Sequence, residues 1–166
     1  MNTPAQTAYA AKTTALPARL IAIDQRLLNT LNHLQPLAAL LARAYVAQAF
    51  FLSGLTKVRD WSVTLYLFQN EYHVPLLPPE VAAVMGTAGE LGLSVLLMLG
   101  LGGRFAALGL SVVNVVAVLS LSDIAPAALQ QHVTWGVLLA ALALYGCGPW
   151  TRDTWLARHV KPVLSR

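Results

Sequence analysis

The chain has 166 residues, 57% of them hydrophobic and only 11% charged, with a formal net charge of +4. Soluble domains carry about 25% charged residues, so this composition excludes an ordinary soluble domain and predicts an integral membrane protein in contact with the lipid bilayer. The single cysteine, Cys147, excludes an internal disulfide or a CxxC redox pair, and without a basic cluster interleaved with aromatics no nucleic-acid partner is expected.

Residues 1–16 are small and polar and read as a disordered start. They lack the apolar core of a cleavable signal peptide, so the first span must act as the targeting element. From Pro17 onward Leu20, Ile23, Leu27, Leu31 and Leu34 recur at helical spacing, with Arg19, Asp24, Arg26 and Asn29 between them. This stretch is too charged to span and predicts an amphipathic helix on the cytoplasmic interface. It serves there either as a simple anchor or as a docking helix for a partner. Pro36 is expected to separate it from the first span.

Four apolar stretches, 36–57, 80–101, 104–121 and 128–148, approach or reach the roughly 20 residues that a spanning helix needs. The expected fold is therefore all-α, with four transmembrane helices in an antiparallel bundle preceded by the interfacial helix. Residues 1–35 form the arm, 36–148 the membrane domain and 149–166 a basic tail. After the first span, Asp60 is placed to N-cap a short helix whose Trp61, Leu65, Phe68 and Tyr72 share one face and lie along the outer surface. Pro75, Pro78 and Pro79 then forbid a continuous helix and suit an extended lead-in to the second span. Gly100-Leu101-Gly102-Gly103 predicts a tight turn into the third. Trp61 and Trp135 fall near the outer interface and Trp150 and Trp155 near the inner one, as an aromatic belt requires.

Orientation follows from lysine and arginine. With four spans, one side holds Lys12, Arg19, Arg26, Arg104, Arg152, Arg158, Lys161 and Arg166, whereas the other holds only Lys57 and Arg59. The positive-inside rule puts both termini in the cytoplasm.

Two charges interrupt the spans. Glu90 lies within the second apolar run and Arg43 within the first. A charge at bilayer depth costs roughly 2.5–3.5 kcal/mol on insertion scales, so it persists only with a partner or a task. Counted along each helix, Arg43 falls roughly 10 Å and Glu90 roughly 14 Å from the cytoplasmic side, and Asn114 comes near the depth of Glu90. Ala39 and Ala47 flank Arg43, and Ala82 and Gly86 precede Glu90, at spacings that let two helices approach closely. The expectation is a buried Arg43–Glu90 pair, with Asn114 joining it. Two readings of that pair stay open: packing glue between helices, or part of a ligand or proton site.

Lys57, Glu71, His73, Glu80, Gln131 and His132 collect near the outer end. Lys57 is expected to snorkel to the interface. The two histidines and two carboxylates match no compact metal motif, so no metal is expected. Cys147 reads as inert, and no nucleophile elbow, zinc-protease, P-loop or dinucleotide motif is present.

The run Arg43-Ala44-Tyr45-Val46-Ala47-Gln48-Ala49-Phe50-Phe51-Leu52-Ser53-Gly54-Leu55-Thr56-Lys57, the prolines of 75–79, Gly89-Glu90-Leu91-Gly92, and Leu99-Gly100-Leu101 with Arg104 together resemble the DoxX family of small bacterial four-helix membrane proteins. The resemblance covers about residues 36–148. It implies a multi-pass protein of the bacterial inner membrane. DoxX-like proteins are similar to a membrane subunit of thiosulfate:quinone oxidoreductase, and others look like membrane partners of oxidant-defence or sulfur-transfer enzymes. On the first comparison Arg43, Lys57 and Glu90 would surround a quinone or a small anion, with Asn114 nearby. The chain has no haem, flavin or dithiol set of its own, so a redox role requires bound quinone or a partner enzyme. Three readings follow: a quinone-interacting accessory subunit, a non-enzymatic scaffold or anchor, and a small transporter. A self-contained carrier of four spans without an inverted repeat would have to form a homo-oligomer.

Overall fold

A computed structural model of the chain describes the backbone over residues 4–153 and side chains over residues 23–153. The described residues are helical apart from loops and one isolated bridge, Tyr72 to Leu121. In order they form α1 (Pro4–Arg59), α2 (Trp61–Asn70), α3 (Pro79–Leu99), α4 (Gly103–Leu119) and α5 (Pro126–Tyr145). The chain divides into two compact units, Met1–Leu37 and Ala38–Arg166. Trp155 and most of the expected basic tail lie outside the described residues.

The first unit departs from expectation in two ways. Residues expected to be disordered are helical from Pro4, and Pro36 does not interrupt α1. The first departure has a local cause, since Ala5, Ala8, Ala10, Ala11 and Ala15 are the strongest helix formers available. As for Pro36, it removes its own N–H from the ladder and crowds the carbonyl one turn back, a cost that membrane helices tolerate. Ile23, Leu27, Leu31 and Leu34 are each more than half exposed.

In the second unit, contacts pair low residue numbers on one helix with high numbers on the next. Gly54 of α1 packs on Leu91 of α3, and Arg43 reaches Gly100 just beyond it. Leu93 of α3 meets Gly109 of α4, and Gly89 meets Val113. Asn114 of α4 bonds to His132 of α5, and Arg104 to Leu144. Phe50 of α1 touches Trp135 of α5, with ring centroids 5.6 Å apart. Neighbouring helices therefore run antiparallel, and the α5–α1 contact closes the ring. The core between them is built from Val46, Ala47, Phe50, Leu97, Leu110 and Leu139.

Among the described residues, three helices are long and apolar enough to cross a membrane; α4, with 17 residues, falls just short of the others. Most of the large apolar side chains on these helices face outward. Phe105, Val112, Val137 and Leu144 are each more than 60% exposed, which suits lipid and not water.

Short connections set the ends. Gly100 and Gly102 both take the left-handed conformation that the tight α3–α4 turn needs, with φ of 68° and 55°. At the other end Asp60 caps α2 as expected, accepting from the Val63 N–H at 3.1 Å. Its backbone hydrogen bond to Val63 and the Ser62 hydroxyl hold the Asp60 carboxyl below the usual range. Thr64 is buried, and its hydroxyl donates to the Lys57 and Asp60 carbonyls at 3.0 Å each. This corner folds α2 back so that Phe68 packs with Ala82 and Ala83, flanked by Leu65 and Tyr72. Trp61, expected on the same face, stays 36% exposed. The His73 N–H donates to the Ser120 carbonyl at 2.7 Å and ties the loop after α2 to the end of α4.

The α1–α3 contact depends on Gly54, where a Cβ would stand 2.8 Å from Leu91 Cγ and 3.1 Å from Glu90 Cβ. Gly54→Val should destabilise the detergent-solubilised protein by about 1–3 kcal/mol through overpacking. Gly92→Ala, where a Cβ meets nothing within 4 Å, should hold or slightly raise the thermal midpoint, because alanine is the better helix former.

Candidate functional site

Glu90 is buried at the middle of α3 and binds Lys57 of α1. Lys57 Nζ donates to Glu90 Oε1 and Oε2 at 2.9 and 2.8 Å and to Ser53 Oγ at 2.9 Å. Ser53 Oγ lies 3.3 Å from Glu90 Oε1 as well and can donate to it. An ammonium has three protons, and these three acceptors use them all. The pair is largely sheltered, with the Lys57 side chain 20% and the Glu90 side chain 9% exposed.

This arrangement corrects the expected Arg43–Glu90 pair. Arg43 is 3% exposed and lies at the far end of the bundle, where its Nη1 donates to the Trp150 and Cys147 carbonyls at 3.2 and 3.4 Å. Its guanidinium abuts Gly100, ten residues beyond Glu90 on α3, which is roughly 15 Å away along the helix. Counting depth from Pro36 failed because Pro36 is not a helix end. Tertiary register puts Arg43 level with the α3–α4 turn instead. Lys57 does not snorkel outward either. Helical side chains lean toward the N-terminus of their helix, so Lys57 points back over Ser53 and into the bundle.

Asn114 also finds a different partner. Its Nδ2 donates to the His132 carbonyl at 3.0 Å, and its Oδ1 lies 2.8 Å from His132 Nδ1. Since the carbonyl can only accept, the amide oxygen must face the ring, and His132 Nδ1 carries the proton.

Lys57, Glu90, Ser53 and His132 line one cavity of about 430 Å³. Its walls are mainly apolar and aromatic, with Phe50, Phe68 and Trp135 among them, and Tyr72 and Ser120 add polar groups toward the α2 end. Burial raises the Tyr72 phenol, and the Glu90 and Glu71 carboxylates add to the shift. Tyr72 therefore stays neutral at ordinary pH. Trp135 Nε1 is sealed from solvent and lacks a partner among the described residues. Glu80 and His73 take local partners instead, Gln69 at 2.8 Å and the Glu71 carbonyl at 3.2 Å.

Sequence reasoning missed Ser53 and Tyr72 as members of this group. The serine had a signal, because Ser53 and Lys57 stand one helical turn apart on the face that turns inward. Tyr72 had none, because only the folding back of α2 brings it over the bundle.

A family model described as DoxX matches residues 38–123. Neither a curated protein nor a solved structure matches the chain. The matched stretch begins where the second unit begins and carries Ser53, Lys57, Glu90 and Asn114, whereas His132 and Trp135 lie beyond it.

The ion pair predicts non-additive mutations. Lys57→Met leaves the Glu90 carboxylate sheltered and unpaired, and should cost about 3–5 kcal/mol of stability. Lys57→Met with Glu90→Leu should recover most of that loss, as read by a double-mutant cycle of thermal unfolding in detergent.

Proposed function

The chain belongs to the DoxX family, and on that premise we propose that it is a redox-linked accessory subunit holding a quinone-type ligand beside Lys57 and Glu90. The observation that carries this reading is an apolar, aromatic-walled cavity bounded on one side by an ion pair whose donors are all internally used. A volume of about 430 Å³ suits a small-molecule ring system. The two charges cancel, and Lys57 has no proton left for an incoming anion. Of the two ligand classes that the family resemblance suggests, a neutral quinone thus fits better than a small anion.

In this reading Glu90 and Lys57 form the polar edge of the site, and Asn114 acts behind His132. Arg43 takes a structural role, gathering the carbonyls after α5 onto the α3–α4 turn. The backbone supports that role, since the Asp153 N–H donates to the Gly100 carbonyl at 3.2 Å and Asp153 Oδ2 accepts from the Gly103 N–H at 3.2 Å. Electrons would pass between the bound quinone and a partner redox or sulfur-transfer enzyme, because the chain supplies no electron carrier of its own.

The same proposal places the chain in the bacterial inner membrane with four spans and both termini cytoplasmic. Residues 38–59 rise roughly 33 Å, α3 roughly 31 Å and α5 roughly 30 Å, against a hydrocarbon core of about 30 Å. α4 rises roughly 25 Å and makes the fourth span with its flanking residues. The cavity then lies toward the outer face. The exposed leucines of the first unit favour a second role, in which the N-terminal arm offers its apolar face to a partner.

Lipid extraction and mass analysis of the purified protein tests the ligand. The wild type should retain an isoprenoid quinone. Gly86→Leu should lose it while keeping its fold, because a Cβ there clears its nearest neighbour, Phe68 Cζ, at 3.7 Å and the larger side chain fills the cavity. Deletion of residues 1–35 should leave quinone content unchanged. A wild type without quinone, together with partner loss on that deletion, would favour the scaffold role.

A further inference from the structure

Among the residues that line the cavity, His132 carries an acceptor that neither the ion pair nor the packing consumes. His132 lines the cavity, and its ring meets Trp135 edge-on with centroids 5.1 Å apart. Its Nδ1 is engaged by Asn114 Oδ1, whose orientation is set by the bond from Asn114 Nδ2 to the His132 backbone carbonyl. The proton of the neutral ring therefore sits on Nδ1, and Nε2 presents a lone pair. Nε2 has no hydrogen-bond partner among the described residues and is not among the sealed polar atoms.

Resting on the quinone reading above, the geometry points to His132 as a specificity-determining residue that selects the reduced, hydroxyl-bearing form of the ligand. A hydroquinone hydroxyl donates to the Nε2 lone pair. An oxidised quinone offers only carbonyl oxygens, so acceptor faces acceptor and both go unpaired. Sites built to bond a hydroxyl reject analogues that lack it, because the buried polar group is left without a partner. The other open groups at the cavity, Trp135 Nε1 and the neutral Tyr72 hydroxyl, donate to a hydroxyl or a carbonyl oxygen alike and so do not discriminate. Every proton of Lys57 is used, and Glu90 accepts from both Lys57 and Ser53. Asn114 is then a positioning residue that acts through the ring. Without its amide oxygen the imidazole is free to move the proton to Nε2 and to present a donor.

The test compares binding of decylbenzoquinone and of its hydroquinone, kept anaerobic, to the full-length detergent-solubilised protein by equilibrium dialysis. The wild type should prefer the hydroquinone by about fivefold or more, as one net hydrogen bond allows. His132→Phe, which keeps a ring against Trp135, should bring the ratio to about one. Asn114→Ala should lower the ratio with His132 still present, an effect that mere loss of packing does not produce. Should His132→Phe fail to fold, the ratio in Asn114→Ala decides. A wild-type ratio near one, or a preference that survives both substitutions, overturns the assignment and leaves the quinone reading standing. Binding of neither form removes the quinone reading and this inference with it.

Discussion

The Lys57–Glu90 ion pair joins the last turn of α1 to the middle of α3, and the rest of the bundle is arranged around keeping it sheltered. A carboxylate at that depth must be neutralised and hydrogen-bonded, and the bidentate ammonium with the Ser53 hydroxyl does both. Gly54 is the geometric condition. Without a side chain there, α1 approaches Glu90 and Leu91 closely enough for the lysine to bend back onto the carboxylate. The Thr64 hydroxyl, bonded to the Lys57 carbonyl, then holds the end of α1 while α2 turns over the site.

The polar groups separate into three sites with different consequences. At one end Arg43 collects backbone carbonyls and holds the chain after α5 against the α3–α4 turn. Toward the other end the ion pair borders an aromatic-walled space. Across that space Asn114 and His132 bond to each other and fix the histidine tautomer. The first site is spent on structure. The second and, through His132, the third border one cavity with mainly apolar walls.

This division bears on what such a small membrane protein can do. On the quinone reading, a cavity bordered by cancelled charges suits a flat neutral molecule with few oxygens. Electron transfer on that reading involves a second component, and Cys147 is buried where its carbonyl receives Arg43. On the same reading the polar residues serve recognition, and the exposed leucines of the first unit are offered to a partner.

Much of this was legible from the sequence. Apolar run lengths gave the helices their places, Gly100 and Gly102 announced the turn, and Asp60 announced the cap, because each depends only on local propensity and periodicity. Family membership was legible too, from Arg43, the Gly54-x-x-Lys57 exit, Glu90 and the Leu99-Gly100-Leu101 turn. What the sequence could not decide was which charge meets which. Depth counted from a presumed helix end matched Glu90 with Arg43, but Pro36 ends nothing, and a slip of about ten residues in register changed every polar partner. Register is a property of the packed interface, set by where Gly54, Gly89 and Gly109 let backbones approach, and no single helix encodes it. The tertiary structure alone assigned Lys57 to Glu90, Asn114 to His132 and Arg43 to the carbonyls after α5, and with them the cavity.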